Sequence, residues 1–291
     1  MEDGYSIKDL EVLSGIKAHT IRIWEKRYEL LKPKRTDTNI RYYSDEDLRR
    51  MLNVSLLVKN GFKISKVAKW EDDEIRENVL NVSVSKTTES DYIERLMLHM
   101  LNFDNIGFIK LTKEIVQKFG FEDSVFKVFF LLFERIGTYW QVGAIFPAQE
   151  HFVSNIFRQK IISEIDKLPV HNTKGKTMLF FLPDGDLHEL SLLFYSYLAQ
   201  KRGYNVIYLG QFLPFNDLEK IQGNIDVDFL FTAFINSITR EDLENYLVRI
   251  KQVFPKQKVF ITGWQIQNLE PKLPRNVKTV KDYMEFKKFL G

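Results

Sequence analysis

The 291-residue chain contains no cysteine. That excludes a disulfide framework, thiolate zinc sites, iron–sulfur clusters and a cysteine nucleophile. No apolar run approaches the roughly 18 residues that a bilayer span needs. Met1-Glu2-Asp3-Gly4 does not open a signal peptide, so a soluble, cytoplasmic protein is expected. Low-complexity stretches and internal repeats are missing. So are a P-loop, a Ser-His-Asp order and a zinc signature, and an enzyme is therefore not expected. Neither sign of charge dominates, with 42 Lys+Arg against 39 Asp+Glu and a net charge of +3. What is present is apolar residues at 44% and aromatics at 14%, which is ample for packed cores. The length suits two or three domains.

The charge is unevenly spread. Residues 1–70 carry 15 basic against 10 acidic side chains, and the remainder carries 27 against 29. A basic head on a near-neutral body fits a polyanion-binding module joined to something else. Residues 71–88 are polar, notably Ser83-Val84-Ser85-Lys86-Thr87-Thr88-Glu89-Ser90, and mark the expected hinge. From about residue 90, apolar positions recur at spacings of three and four, as in Ile93, Leu96, Met97, Met100 and Leu101, which predicts a helical bundle. After residue 174 short apolar strands alternate with helical patterns: 178–182, 206–210, 229–233, 258–263 and 277–280. Strands that are apolar throughout and alternate with helices predict a doubly wound parallel sheet, which binds ligands beyond the carboxyl ends of its strands. The expected domains are 1–72, a linker over 73–89, 90–172 and 173–291.

Within the head, Ser6 is placed to cap a helix containing Ile7, Leu10 and Leu13, which Gly15 stops. A second helix runs from about Ala18 to Tyr28, with Ile21, Trp24 and Tyr28 on one stripe and His19, Arg22 and Lys26 on another. Two short helices and a tight turn read as a helix-turn-helix. Lys34-Arg35 and Arg41-Tyr42-Tyr43 then suggest a basic hairpin, a wing whose cations can neutralise phosphates, before Ser44 caps a third helix. The candidate DNA-binding residues are His19, Arg22, Lys26, Arg27, Tyr28, Lys34, Arg35, Arg41 and Tyr42. The bland alternatives are that Ile21, Trp24 and Tyr28 are core, and that Lys34, Arg49 and Arg50 are ordinary solvated charge.

The run Thr20-Ile21-Arg22-Ile23-Trp24-Glu25-Lys26-Arg27-Tyr28-Glu29-Leu30-Leu31, with Arg41-Tyr42-Tyr43-Ser44-Asp45-Glu46-Asp47-Leu48 and Gly61-Phe62-Lys63-Ile64-Ser65-Lys66-Val67, resembles the MerR-type winged-helix regulators. The resemblance covers about residues 4–70. It implies double-stranded promoter DNA as partner, self-association into dimers or tetramers, a contact with RNA polymerase and no membrane. Asn39 stands where the family has Gly at the wing tip, and Asn tolerates positive φ.

A second constellation, Asp186-Leu187-His188-Glu189-Leu190-Ser191, falls in the loop after the first sheet strand. A His at the head of a helix can offer one ring nitrogen to a metal while a carboxylate two residues earlier holds the other. Taken alone, such a His also serves as a capping or packing residue. The segment resembles the Asp-x-His-x-x-Gly motif of cobalamin-binding domains, in which the His is the lower axial ligand to cobalt. In the bundle, Trp140, nine intervening residues and then Glu150-His151 resemble the cap over the upper corrin face and its adenosyl group. The chain as a whole is similar to light- and cobalamin-responsive regulators of the CarH and LitR type: a MerR-like winged helix-turn-helix, a four-helix bundle and a flavodoxin-like cobalamin-binding sheet. That likeness implies adenosylcobalamin as cofactor, with Trp140, Glu150, His151, Asp186, His188, Ser191, Thr232 and Gly263 around it and His188 on the metal.

Four positions depart from that pattern. Ser191 replaces the motif's Gly. Gly263-Trp264 replaces a Gly-Gly pair near the nucleotide tail, where an indole could fill the slot. Thr232-Ala233-Phe234 only loosely matches a Ser-x-Leu element. Gln141 stands where light-sensing members have a second cobalt-ligating His. Two readings follow. One is a repressor whose oligomerisation and operator binding answer to adenosylcobalamin and light. The other is a cobalamin-independent MerR-type regulator whose degenerate C-terminal domain serves association only, with Trp140 and His151 as core residues and Trp264 as a plug. A corrinoid methyltransferase subunit is a third class, which the basic head argues against.

Overall fold

The structure, a computed structural model, describes residues 5–35, 39, 41–75, 78, 89–141, 145–169 and 175–291. The chain divides into two compact units, Met1–Ser154 and Asn155–Gly291.

The first unit begins with α1 (Ile7–Ser14) and α2 (Ala18–Tyr28). Ser6 and Asp9 form a reciprocal capping box, and Gly15 closes α1 at φ 70°. The strands β1 (Lys34–Arg35) and β2 (Arg41–Tyr42) pair antiparallel as the wing, and Asn39 holds φ 65°, as its tolerance of that region allows. The tip at 36–38 and 40 lies outside the described residues. Ser44 and Asp47 make a second capping box on α3 (Asp45–Lys59), after which comes α4 (Ile64–Val67). Leu10, Ile21, Trp24, Leu30, Tyr43, Leu48, Met51 and Leu57 fill the core. Arg50 corrects its reading as solvated charge. Its Nε donates to the Leu30 carbonyl at 3.1 Å, Nη2 to the Trp70 carbonyl at 3.0 Å, and Nη1 to Asp72. The guanidinium thus ties the chain before the wing and the chain after α4 to α3. Arg50→Met is expected to destabilise the chain by about 1–3 kcal/mol, because two carbonyls lose charge-assisted donors, and thermal unfolding reads this.

Most of the expected hinge (76–77 and 79–88) lies outside the described residues, while 72–75 are helical with Ile75 buried. The bundle then comprises α5 (Glu89–Leu101), α6 (Asn105–Phe119), α7 (Phe121–Ser124) leading through a π-helical turn (Val125–Phe129) into α8 (Phe130–Gln141), and α9 (Pro147–Asp166). Head and bundle touch within this unit. The buried Tyr139 hydroxyl donates to the Leu13 carbonyl at 3.1 Å, and Lys59 Nζ pairs with Glu94 at 2.8 Å.

The second unit carries β3 (Thr177–Pro183), α10 (Leu190–Lys201), β4 (Asn205–Leu213), α11 (Phe215–Ile221), β5 (Phe229–Ala233), α12 (Arg240–Val253), β6 (Lys258–Thr262), α13 (Trp264–Leu269), β7 (Val277–Thr279) and α14 (Tyr283–Leu290). The strand order is β4-β3-β5-β6-β7 and every pair is parallel, so this is the expected flavodoxin-like sheet. Alternate residues serve its two faces. Leu179, Phe181, Leu230, Val259 and Ile261 pack with Leu218, Leu243, Leu247 and Ile250. Phe180 stacks on Phe231 at 5.2 Å, which meets Tyr195 of α10 at 4.7 Å and Phe286 of α14 at 4.9 Å. Both faces are apolar because both are covered, which is why the strands read as unbroken apolar runs. Among the described residues, no helix is long and apolar enough to cross a membrane.

Candidate functional site

The head leaves most of its candidates open to solvent. His19, Arg22, Lys26 and Arg27 are exposed along α2, Lys34, Arg35 and Arg41 are exposed on the wing, and Tyr28 and Tyr42 are half-buried. Ile21 and Trp24 are core, as the apolar stripe suggested. Wing and helix are joined through Glu25, whose carboxylate accepts from Arg41 Nε at 3.1 Å and from the Tyr43 hydroxyl at 3.0 Å. Burial, with the Glu25 charge and hydrogen bond, pushes the Tyr43 hydroxyl well above its ordinary pKa, so it stays a donor. Arg35 Nη1 donates to Asn39 Oδ1 at 2.6 Å, and the Arg27 guanidinium lies 5.4 Å from the centre of the Tyr28 ring. A helix and a pinned hairpin with outward cations can straddle a duplex backbone.

At the carboxyl edge of the sheet, Asp186 is the hub. Its Oδ1 accepts from the His188 backbone at 3.0 Å and lies 3.1 Å from His188 Nδ1. Its Oδ2 accepts from the amides of Ile235 at 2.9 Å and Asn236 at 3.3 Å, after β5. Burial works against the carboxylate, but the hydrogen bonds from His188, Ile235 and Asn236 outweigh it and hold the carboxyl below its ordinary pKa. An ionised Asp186 favours the proton on Nδ1 of the 58%-exposed imidazole, the tautomer in which Nε2 carries the lone pair. No group of three or more His, Asp or Glu that could hold an ion occurs among the described residues.

Beside this loop, the hydroxyls of Ser191 at the start of α10 and Thr232 in β5 are buried and have no hydrogen-bond partner among the described residues. Such orphaned groups cost about 1–3 kcal/mol each, so a polar ligand at this edge has donors and acceptors waiting for it. Gly263 is explained by the fold itself: at φ 112°, a Cβ would stand 2.3 Å from the Phe234 carbonyl oxygen. Trp264 overturns the plug reading, since it is 65% exposed and fills no interior slot.

Three residues of this site escape a reading by spacing. Glu189, buried next to His188, accepts from Arg158 Nε of α9 and from the Tyr208 hydroxyl of β4 at 3.0 Å. Burial, followed by the Glu189 charge and hydrogen bond, drives the Tyr208 hydroxyl far above its ordinary pKa. The partners lie 31 and 19 residues from Glu189, and no local pattern signals them. Arg158→Ala is expected to lower stability by about 1–2 kcal/mol in urea denaturation, since it removes the charged partner of a buried carboxylate that keeps the Tyr208 hydroxyl, while the guanidinium itself is half exposed.

On the bundle, Glu150 and His151 are adjacent near the start of α9, with Glu150 Oε2 2.9 Å from His151 Nδ1. His151 is 71% exposed at its side chain, which rules out the reading of it as core. Trp140 and Gln141 close α8, and their side chains lie outside the described residues.

Comparison with known proteins assigns families to these parts. The model of the MerR HTH family of regulatory proteins matches residues 5–74, and that of a B12 binding domain matches residues 92–162, the bundle. The HTH-type transcriptional repressor CarH of Myxococcus xanthus is 26% identical over 262 residues, covering 88% of this chain and 87% of that protein. The repressor CarA of the same organism is 25% identical over 250 residues, covering 83% and 80%. The monomethylamine corrinoid protein of Methanosarcina barkeri aligns with a TM-score of 0.54 at 15% identity, over 69% of this chain and 98% of that one, a likeness of fold alone.

Proposed function

We propose that the chain, a MerR-type regulator with a cobalamin-binding domain that is similar to the transcriptional repressors CarH and CarA, represses promoters under the control of adenosylcobalamin. The observation that carries this is His188: its Nδ1 is held by a buried, ionised Asp186 at the sheet's carboxyl edge, beside two buried hydroxyls that have no partner among the described residues. When bound, the cofactor supplies a cobalt centre and a cobalt–carbon bond that light can break. His188 would hold the cobalt through Nε2, with Asp186 fixing the ring from its other nitrogen. Ser191 and Thr232 hydrogen-bond the polar tail. By the family resemblance, Trp140 would offer the cofactor an aromatic surface, and Glu150 and His151 would offer hydrogen bonds to its hydroxyl groups. Gly263 keeps the backbone beside the tail close to Phe234. His19, Arg22, Lys26, Arg27, Lys34, Arg35 and Arg41 neutralise promoter phosphates, with Tyr28 and Tyr42 packed among them.

Cofactor loading sets the assembly, dimer to tetramer, and so the number of heads on one operator and the access of RNA polymerase to it. Gln141, whose amide is a poor cobalt ligand, would not replace a histidine in holding the metal. The test uses the full chain and duplexes that it selects from a random pool. Adenosylcobalamin in the dark is expected to raise both sedimenting mass and duplex affinity, illumination to reverse both, and His188→Ala to respond to neither. Equal mass and affinity with and without cofactor would leave the cobalamin-independent regulator as the reading.

A further inference from the structure

Pairing of β3 with β4 is regular up to Phe180 and then slips. Phe181 faces Gly210 and Pro183 faces Leu213, so one extra residue is accommodated on β4 at each step. Bulges of this kind bend an edge strand and re-aim a side chain, and they concentrate beside functional sites. The re-aimed residue is Phe212. Its φ is +56°, a region that a bulky aromatic side chain rarely enters, and the ring is 52% exposed. Holding that backbone costs on the order of 1–3 kcal/mol. The fold keeps it there with a hydrogen bond from the Phe212 amide to the Asp186 carbonyl at 3.3 Å. Phe212 is thereby fastened to the same residue that orients His188, and Leu187, between Asp186 and His188, is also exposed. An exposed aromatic residue, tied by its backbone to Asp186, and an exposed leucine adjacent in sequence to His188 thus belong to the same edge, where the buried Thr232 hydroxyl has no hydrogen-bond partner among the described residues.

We propose that Phe212 and Leu187 form an apolar seat for the lower face of a corrin-type macrocycle around His188, so that the strained backbone at Phe212 is maintained for ligand binding. This rests on the cobalamin reading above and adds contact residues to it. The seat recognises the ring itself and not the nucleotide tail, because its two members offer only apolar surface.

The experiment titrates the full chain in the dark with adenosylcobalamin and, separately, with cobinamide, which has the ring but no nucleotide tail, following visible absorbance. Phe212→Gly and Phe212→Asn both tolerate positive φ and remove the ring, and Phe212→Tyr retains it. Both ring-less variants are expected to bind each corrin about tenfold more weakly, with thermal midpoints equal to or above the parent's, while Phe212→Tyr binds as the parent does. Equal affinity in Phe212→Asn and the parent, with His188→Ala impaired, would overturn the seat alone. No binding of either corrin by the parent would overturn the cobalamin reading and the seat with it.

Discussion

Gly263→Ala is expected to cost the sheet unit about 3–5 kcal/mol, as strain at a positive φ and an irreducible backbone overlap add together. The added methyl group would meet the Phe234 oxygen at 2.3 Å and its carbon and nitrogen at 2.8 Å. Phe234 cannot retreat, because its amide donates to the Thr262 carbonyl at 2.9 Å, its carbonyl accepts from Gln265 at 3.2 Å, and its ring is buried in the core. Gly185→Ala provides the comparison. That glycine also has a positive φ, 84°, but nothing lies within 4 Å of its Cβ position, so about 1 kcal/mol is expected. Urea denaturation of the full chain followed by circular dichroism measures both. Equal losses in the two variants would remove the overlap with Phe234 as the explanation.

The second large effect concerns the head. Replacing Arg22 and Arg41 together by Ala is expected to weaken duplex binding about a hundredfold at low salt. The plot of log affinity against log salt should flatten by about 1.8, some 0.9 for each phosphate no longer neutralised. The weakening should be similar for every duplex tested, the result expected of cations that neutralise phosphates and read no bases. Arg41 has a second duty, since its Nε bonds Glu25 and helps hold the wing on α2. Glu25→Gln separates the duties: it leaves both arginine charges in place, so the salt slope should stay near the parent's while affinity falls only modestly. An unchanged slope in the double variant would show that this face does not carry the phosphates.

The head is largely legible in the sequence because its signals are local. Ser6 and Ser44 with Asp9 and Asp47 three residues on spell capping boxes, and Gly15 spells a helix stop. The strands are legible for a different reason: burial on both faces leaves them apolar throughout. The His188 and Asp186 pair is also readable, two residues apart in one loop. What stays hidden depends on chain segments meeting from a distance. Arg50 reaches two carbonyls each 20 residues away, and Glu189 draws its partners from α9 and β4. The exposure of Trp264 follows from the turn at Gly263, and the outward ring of Phe212 from a slip in strand register that composition does not encode.

The most direct test of the account is a visible absorption spectrum. The purified full chain is incubated with adenosylcobalamin in the dark, desalted, and compared with His188→Ala treated in the same way. The account predicts a retained corrin band of base-off, His-ligated shape in the parent and its disappearance in the variant. A parent that keeps no corrin, or a variant that keeps the same band, would contradict it.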